Sequence, residues 1–168
     1  MHYFEFAEKD NTLYQASASL NAGLDEVLEV RKDMNDTGTV VKSSRILIKF
    51  DLTYISQSIS SNLISSPKFY LNLYDAKPSA LATSQSLYVY PVSQSWTMGD
   101  GRSYDNPITT EGCSWIHRNG KLDGELWFGA VSESGGTWHS NTGTGSVTFI
   151  APFGTSINHE VRLKAGSD

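Results

Sequence analysis

The sequence has 168 residues, 39% of them apolar and 18% charged, with a formal net charge of -5. That length suffices for one domain with a real core but not for two of full size, and a surface this poor in Glu, Lys and Arg argues against long solvent-facing helices. The 13 Lys and Arg are scattered, which speaks against a nucleic-acid backbone as partner, and the single cysteine, Cys113, excludes an internal disulfide or a Cys-cluster zinc site.

Met1-His2-Tyr3-Phe4-Glu5-Phe6-Ala7-Glu8 lacks the basic and apolar regions of a signal peptide. No apolar run is long enough to cross a membrane. The expectation is a protein that matures where it is made, a condition that a virion component released by lysis also meets.

Taken in chain order, Thr12 to Ala16 is a first, weak strand. Asn21 to Val30 reads equally as a short amphipathic helix or as a strand, the strand reading centring on Glu26 to Lys32. Asn35-Asp36-Thr37-Gly38 is a turn. Ser44 to Asp51 alternates most clearly, with Ile46, Ile48 and Phe50 opposed to Arg45, Lys49 and Asp51. The Ser-rich stretch from Ile55 to Ile64 reads as a connection with room for one helical turn. Phe69 to Asp75 and Ser86 to Val92 repeat the alternation, and Pro91 places an edge or bulge at the end of the latter. From Ser95 to Gly145 the texture changes to Gly, Trp and weak strand signals, of which Cys113 to Ile116 is one; such an excursion usually has a job or a partner. Ser132 to Gly136 and Asn141 to Gly145 are turn-rich, and Ser146 to Ile150 and Glu160 to Lys164 are the last strands.

About eight short strands with little helix predict an all-β fold, an antiparallel β-sandwich of jelly-roll type with long loops in its second half. Its expected core is Ile46, Ile48, Phe50, Leu71, Leu73, Leu87 and Val89.

Catalytic chemistry needs a nucleophile with a base, a carboxylate pair or a metal cluster. His2, His117, His139 and His159 are too dispersed to share one element, so no metal site is expected. Asp33 to Gly38 lacks the terminal Glu of a calcium loop. Cys113 and His117 have the spacing of a dyad, but the thiol reads as a small buried hydrophobe. Gly99-Asp100-Gly101 and Gly143-Thr144-Gly145 lack the Lys and following helix of a phosphate cradle and read as turns. The remaining resource is seven Phe, four Trp and eight Tyr. Exposed aromatics stack on sugars or anchor protein interfaces.

Ser44-Arg45-Ile46-Leu47-Ile48-Lys49-Phe50-Asp51-Leu52 resembles the central strand of DNRLRE-type β-sandwich domains, a run like "SRALIKFDLS". Thr12 to Ala16 and Leu28-Glu29-Val30 are similar to that family's opening strands, Ile59 to Tyr74 to its "I-x-SA-x-L-x-L-Y" block, and Val89-Tyr90-Pro91-Val92-Ser93-Gln94-Ser95-Trp96 to "V-Y-x-V-x-x-S-W". Cys113-Ser114-Trp115 resembles the family's "TW" strand, and Gly135-Gly136-Thr137-Trp138 a "GGTW" block of phage-encoded members. The family's closing helix and strand have no counterpart after Glu160 to Lys164, so 1–168 is expected to be a single sandwich domain completed by a further element or a longer chain.

The resemblance implies a non-enzymatic module of a phage particle, assembled in the host cytoplasm as a tail, baseplate, neck or capsid-decoration component. Its partners would be other phage structural proteins, copies of itself or a host surface glycan, with no nucleic acid, membrane, cofactor or metal. The candidate contact residues are Tyr88, Tyr90, Trp127, Trp138, Arg102 and Arg118. The alternative is a carbohydrate-binding module in which aromatics stack on a polysaccharide and Arg102, Arg118 or Lys121 meets its acidic groups. A third reading, a hydrolase or lyase using Asp100, Asp105 and Glu111, needs those carboxylates to converge.

Overall fold

The strongest alternation in the sequence forms the longest strand, β3 (Val40–Phe50). The computed structural model describes residues 3–74, 85–90, 92, 94–120, 124–127, 145–149 and 158–163. Among them one α-helix, α1 (Thr53–Ser60), accompanies β1 (Ala7–Tyr14), β2 (Lys32–Met34), β4 (Phe69–Tyr74), β5 (Gln85–Val89), β6 (His117–Asn119), β7 (Glu125–Leu126), β8 (Gly145–Phe149) and β9 (Asn158–Leu163). The fold is β-rich, and the strand pairs among the described residues are antiparallel.

The chain divides into two units, Met1–Tyr54 with Gln94–Trp138 and Ile55–Ser93 with His139–Asp168. The first holds a three-stranded sheet in the order β1-β3-β2 and the β6-β7 hairpin. Leu13 lies opposite Arg45 and Asn11 opposite Leu47. The turn between β2 and β3 closes on Asn35, whose side-chain oxygen accepts from the backbone N–H of Thr37 (3.1 Å) and Thr39 (2.8 Å). Gly38 occupies the left-handed position there at φ 78°.

In the second unit β4 pairs with β9 and β5 with β8. On β4 the expected alternation holds: Phe69, Leu71 and Leu73 are half-buried while Tyr70, Asn72 and Tyr74 are exposed. Leu87 and Tyr88 lie on β5 opposite Val147 and Ser146. Val89 is half-buried.

Where a connection was expected over Ile55 to Ile64, eight residues from Thr53 to Ser60 form a helix with defined ends. The Asp51 carboxylate accepts from the Thr53 N–H at 3.0 Å, satisfying one of the donors that a helix start leaves open. This hydrogen bonding holds the Asp51 carboxyl below the usual carboxylate range. At the other end Asn62 takes φ 56°, and the N–H groups of Leu63 and Asn62 bond to the carbonyls of Ser58 and Ile59, the pattern of a left-handed helix stop.

The packing of β3 departs from expectation. Ile46, Ile48 and Phe50 are only half-buried, and the sealed residue is Leu47, 1% exposed on the face read as wet. The reason is a roof that alternation cannot reveal: residues 94–116, which contain neither helix nor strand, cover the face of Asn11, Leu13, Arg45 and Leu47. Arg45 is accommodated by laying its guanidinium over the Trp115 ring, 4.6 Å from the centroid. Lys9 likewise lies 4.3 Å from the Trp96 centroid and donates to the Trp96 carbonyl. The core of this unit is Leu13, Tyr14, Leu20, Ala22, Leu47, Trp96, Cys113, Trp115 and Trp127. Cys113 to Ile116, expected as a strand, is part of the roof; β6 begins just after it.

Candidate functional site

Polar residues buried at the end of β1 and in the loop after it fix the roof in place. The Asn21 amide donates to the Met98 carbonyl at 2.7 Å and to the Cys113 carbonyl at 2.8 Å. Its oxygen accepts from the Gly101 N–H at 2.8 Å and from the Gly23 N–H at 3.3 Å. One side chain thus ties together three loop segments. Asn11 reinforces two of the same points, donating to the Met98 and Cys113 carbonyls at 3.0 and 3.1 Å. Its own Oδ1 is buried without a hydrogen-bond partner.

Such close approach needs glycine. A Cβ on Gly99 would stand 2.3 Å from the Glu111 carbonyl oxygen, and one on Gly112 2.4 Å from the Gly99 Cα; both residues also have positive φ. Gly99-Asp100-Gly101 is therefore a packed turn, as its sequence implies.

Cys113 and His117, the pair with the spacing of a dyad, are both committed to packing. Cys113 is buried, its Sγ accepts from the Asn11 amide at 3.0 Å, and burial pushes its thiol up to about 12. His117 is buried too, with its Nδ1 3.5 Å from the Ser114 hydroxyl. The same hydroxyl accepts from the His117 N–H at 3.2 Å, and the Ser114 carbonyl accepts from the Trp127 indole at 2.9 Å. No group of three His, Cys, Asp or Glu side chains among the described residues could hold a metal ion. Asp105 is a turn-building group: its carboxylate accepts from the Arg102 N–H at 2.9 Å and the Thr109 hydroxyl at 2.7 Å, and these bonds keep its carboxyl below the usual range.

The candidate contact residues separate. Trp127 is 1% exposed and belongs to the core, where its ring cannot meet a partner. Trp138 and Lys121 lie outside the described residues. Tyr90 is 39% exposed, in the second unit. Arg118 is a brace: it donates to the Ser95 carbonyl and hydroxyl, each at 3.2 Å, and pairs with Glu125 at 2.8 Å.

Arg102 stands at the surface. It pairs with Glu26 and donates to the Tyr104 hydroxyl at 3.0 Å. Hydrogen bonding from Arg102 holds the Glu26 carboxyl below its ordinary range. Tyr104 is 68% exposed, on a turn pinned by Asp105 and by a bond from the Ser103 N–H to the Asp25 carboxylate at 3.0 Å. Nothing in composition or spacing singles out Tyr104 among eight tyrosines. Its usable signal is position, between a glycine turn and the Asp105 that anchors it.

No family model matches the chain. Neither the curated proteins nor the solved structures contain a match. The residues themselves therefore carry the functional reading.

Proposed function

We propose that the chain is a non-enzymatic structural and interaction module of a phage particle, built as a jelly-roll sandwich and contacting neighbouring subunits or the host surface. The observation that carries this reading is the pinned roof: the Asn21 network holds an exposed Tyr104 beside Arg102 and Glu26 on a turn with little freedom left to lose. Preorganised Tyr and Arg side chains suit recognition, because less ordering entropy opposes contact. Burial of Cys113, Ser114 and His117 favours a scaffold over a catalyst. The resemblance to DNRLRE-type domains supports the phage setting and the sandwich.

Mass spectrometry and electron microscopy of purified virions test the proposal. The chain should be a stoichiometric component, and its absence from the particle defeats the reading. The Tyr104 ring flanked by Arg102 and Glu26 also favours a second reading, binding of a polysaccharide. On a glycan array, reproducible binding that Tyr104→Ala abolishes would displace the purely structural role.

A further inference from the structure

Of the asparagines in the chain, Asn119 alone is followed by glycine. It closes β6, opposite Glu125 of β7, and is exposed. We propose that Asn119-Gly120 is a site of spontaneous backbone-assisted deamidation, converting this corner of the β6-β7 hairpin from an amide to a carboxylate.

The chemistry follows from the neighbours. The Gly120 backbone nitrogen attacks Cγ of Asn119, forming a nitrogen–carbon bond and a tetrahedral intermediate whose negative charge develops on Oδ1. The bond from Cγ to Nδ2 then breaks, and ammonia leaves with the proton surrendered by the Gly120 N–H. Water opens the resulting succinimide at either carbonyl, giving aspartate or isoaspartate, so the net change is one water consumed and one ammonia released. Glycine at 120 matters because no Cβ hinders the attack. The Thr97 hydroxyl donates to Asn119 Oδ1 at 2.6 Å, directly on the atom where charge develops.

Other candidate positions lack one of these conditions. Gly101 follows an acidic residue, but its N–H is buried and donates to Asn21 at 2.8 Å. Asn106 precedes Pro107, which has no N–H to attack with. Asn35 precedes Asp36, whose Cβ stands beside the nitrogen that would attack, and its side chain is held in closing its turn by the N–H groups of Thr37 and Thr39. At Asn119 the nitrogen that must leave, Nδ2, donates to Glu125 over a long 3.4 Å.

The product alters its surroundings. A carboxylate would replace the amide facing Glu125, so two carboxylates would compete for Arg118, which pairs with Glu125 at 2.8 Å. Arg118 also receives the Thr97 N–H on its carbonyl at 3.0 Å, so the residue whose ion pair is disturbed is one that attaches the hairpin to the segment around Thr97.

Incubation of the full chain in mildly alkaline buffer, with peptide mapping and an isoaspartate methylation assay, tests the proposal. Asn119 should convert at least about tenfold faster than Asn35 or Asn62, a difference of about 1.4 kcal/mol in barrier. Gly120→Ala should slow it by about tenfold or more. The site has room for that methyl, the nearest atom being 3.6 Å away, although φ is 81°, so tryptophan fluorescence of the variant checks its fold. Thr97→Val should slow conversion by about threefold, a fraction of what an oxyanion donor supplies in a water-excluded site, and Thr97→Ser should restore it. Conversion at Asn119 no faster than at Asn62, or a rate indifferent to both Gly120→Ala and Thr97→Val, overturns the proposal.

Discussion

Replacing Asn21 by alanine removes four hydrogen bonds from a site with no access to water, and their losses are unequal. The Met98 and Cys113 carbonyls keep their bonds from Asn11 at 3.0 and 3.1 Å and lose little. The buried Gly101 N–H loses its 2.8 Å acceptor, and stranding such a donor costs about 1–3 kcal/mol. The Gly23 N–H loses a longer bond, and the vacated amide leaves a small cavity worth about 1 kcal/mol. Together these predict a loss of about 3–4 kcal/mol, a large part of the roughly 5–15 kcal/mol that keeps a domain folded.

Urea unfolding followed by tryptophan fluorescence reads this directly, because Trp96, Trp115 and Trp127 are all buried in the affected unit. The midpoint should fall by roughly 1–3 M. A loss below about 1 kcal/mol, the worth of an ordinary hydrogen bond, would refute the assignment of Asn21 as the organising residue. Asn21→Asp adds a pH test. Its carboxyl would face two carbonyl oxygens and be buried, so its folded pKa would lie above the unfolded value of about 3.9. The variant should be most stable in acid and lose stability as pH rises through the folded pKa.

Asn11 provides a contrast, since its donors are duplicated by Asn21 and its oxygen has no partner. Asn11→Leu should cost within about 1 kcal/mol, and a loss equal to that of Asn21→Ala in the same unfolding assay would contradict the division of roles. Gly99→Ala should destabilise by several kcal/mol, about 3 or more, because backbone surrounds the added methyl. Gly38→Ala, at a similar φ but in open space, should cost only about 1 kcal/mol, and equal midpoints for the two would show that conformation alone governs both. Cys113 should resist iodoacetamide in the native protein and react once urea unfolds it; rapid native alkylation would mean the roof opens.

Strand positions were legible where one face is apolar and the other polar, as on β3 and β4, because side-chain period alone defines them. The identity of the sealed face on β3 was not. Arg45 and Lys49 mark that face as wet by composition, yet an indole over the guanidinium makes Arg45 a packing residue beside Leu47. Cys113 as a buried hydrophobe and Gly99-Asp100-Gly101 as a turn were readable, since both rest on local chemistry. The Asn11 and Asn21 network was hidden: isolated asparagines resemble loop residues until the partners, 77 to 102 positions away, are brought alongside. Trp127 illustrates the converse, a residue type common at interfaces whose indole N–H is instead satisfied inside by Ser114.

The distance in sequence between the sheet and its roof also sets a timetable for synthesis. When Phe50 has been made, β1 to β3 can pair, but Leu13 and Leu47 remain uncovered and the Asn21 amide has only water to bond. Cover arrives with Trp96, Cys113 and finally Trp127, after the whole of 55–93 has been threaded through. At about 5–20 residues per second, the nascent sheet spends roughly 4–15 s with its apolar face open. Contacts this remote order late and slowly, so that interval is when the chain is most vulnerable to self-association, and slowed translation of 55–93 would lengthen it.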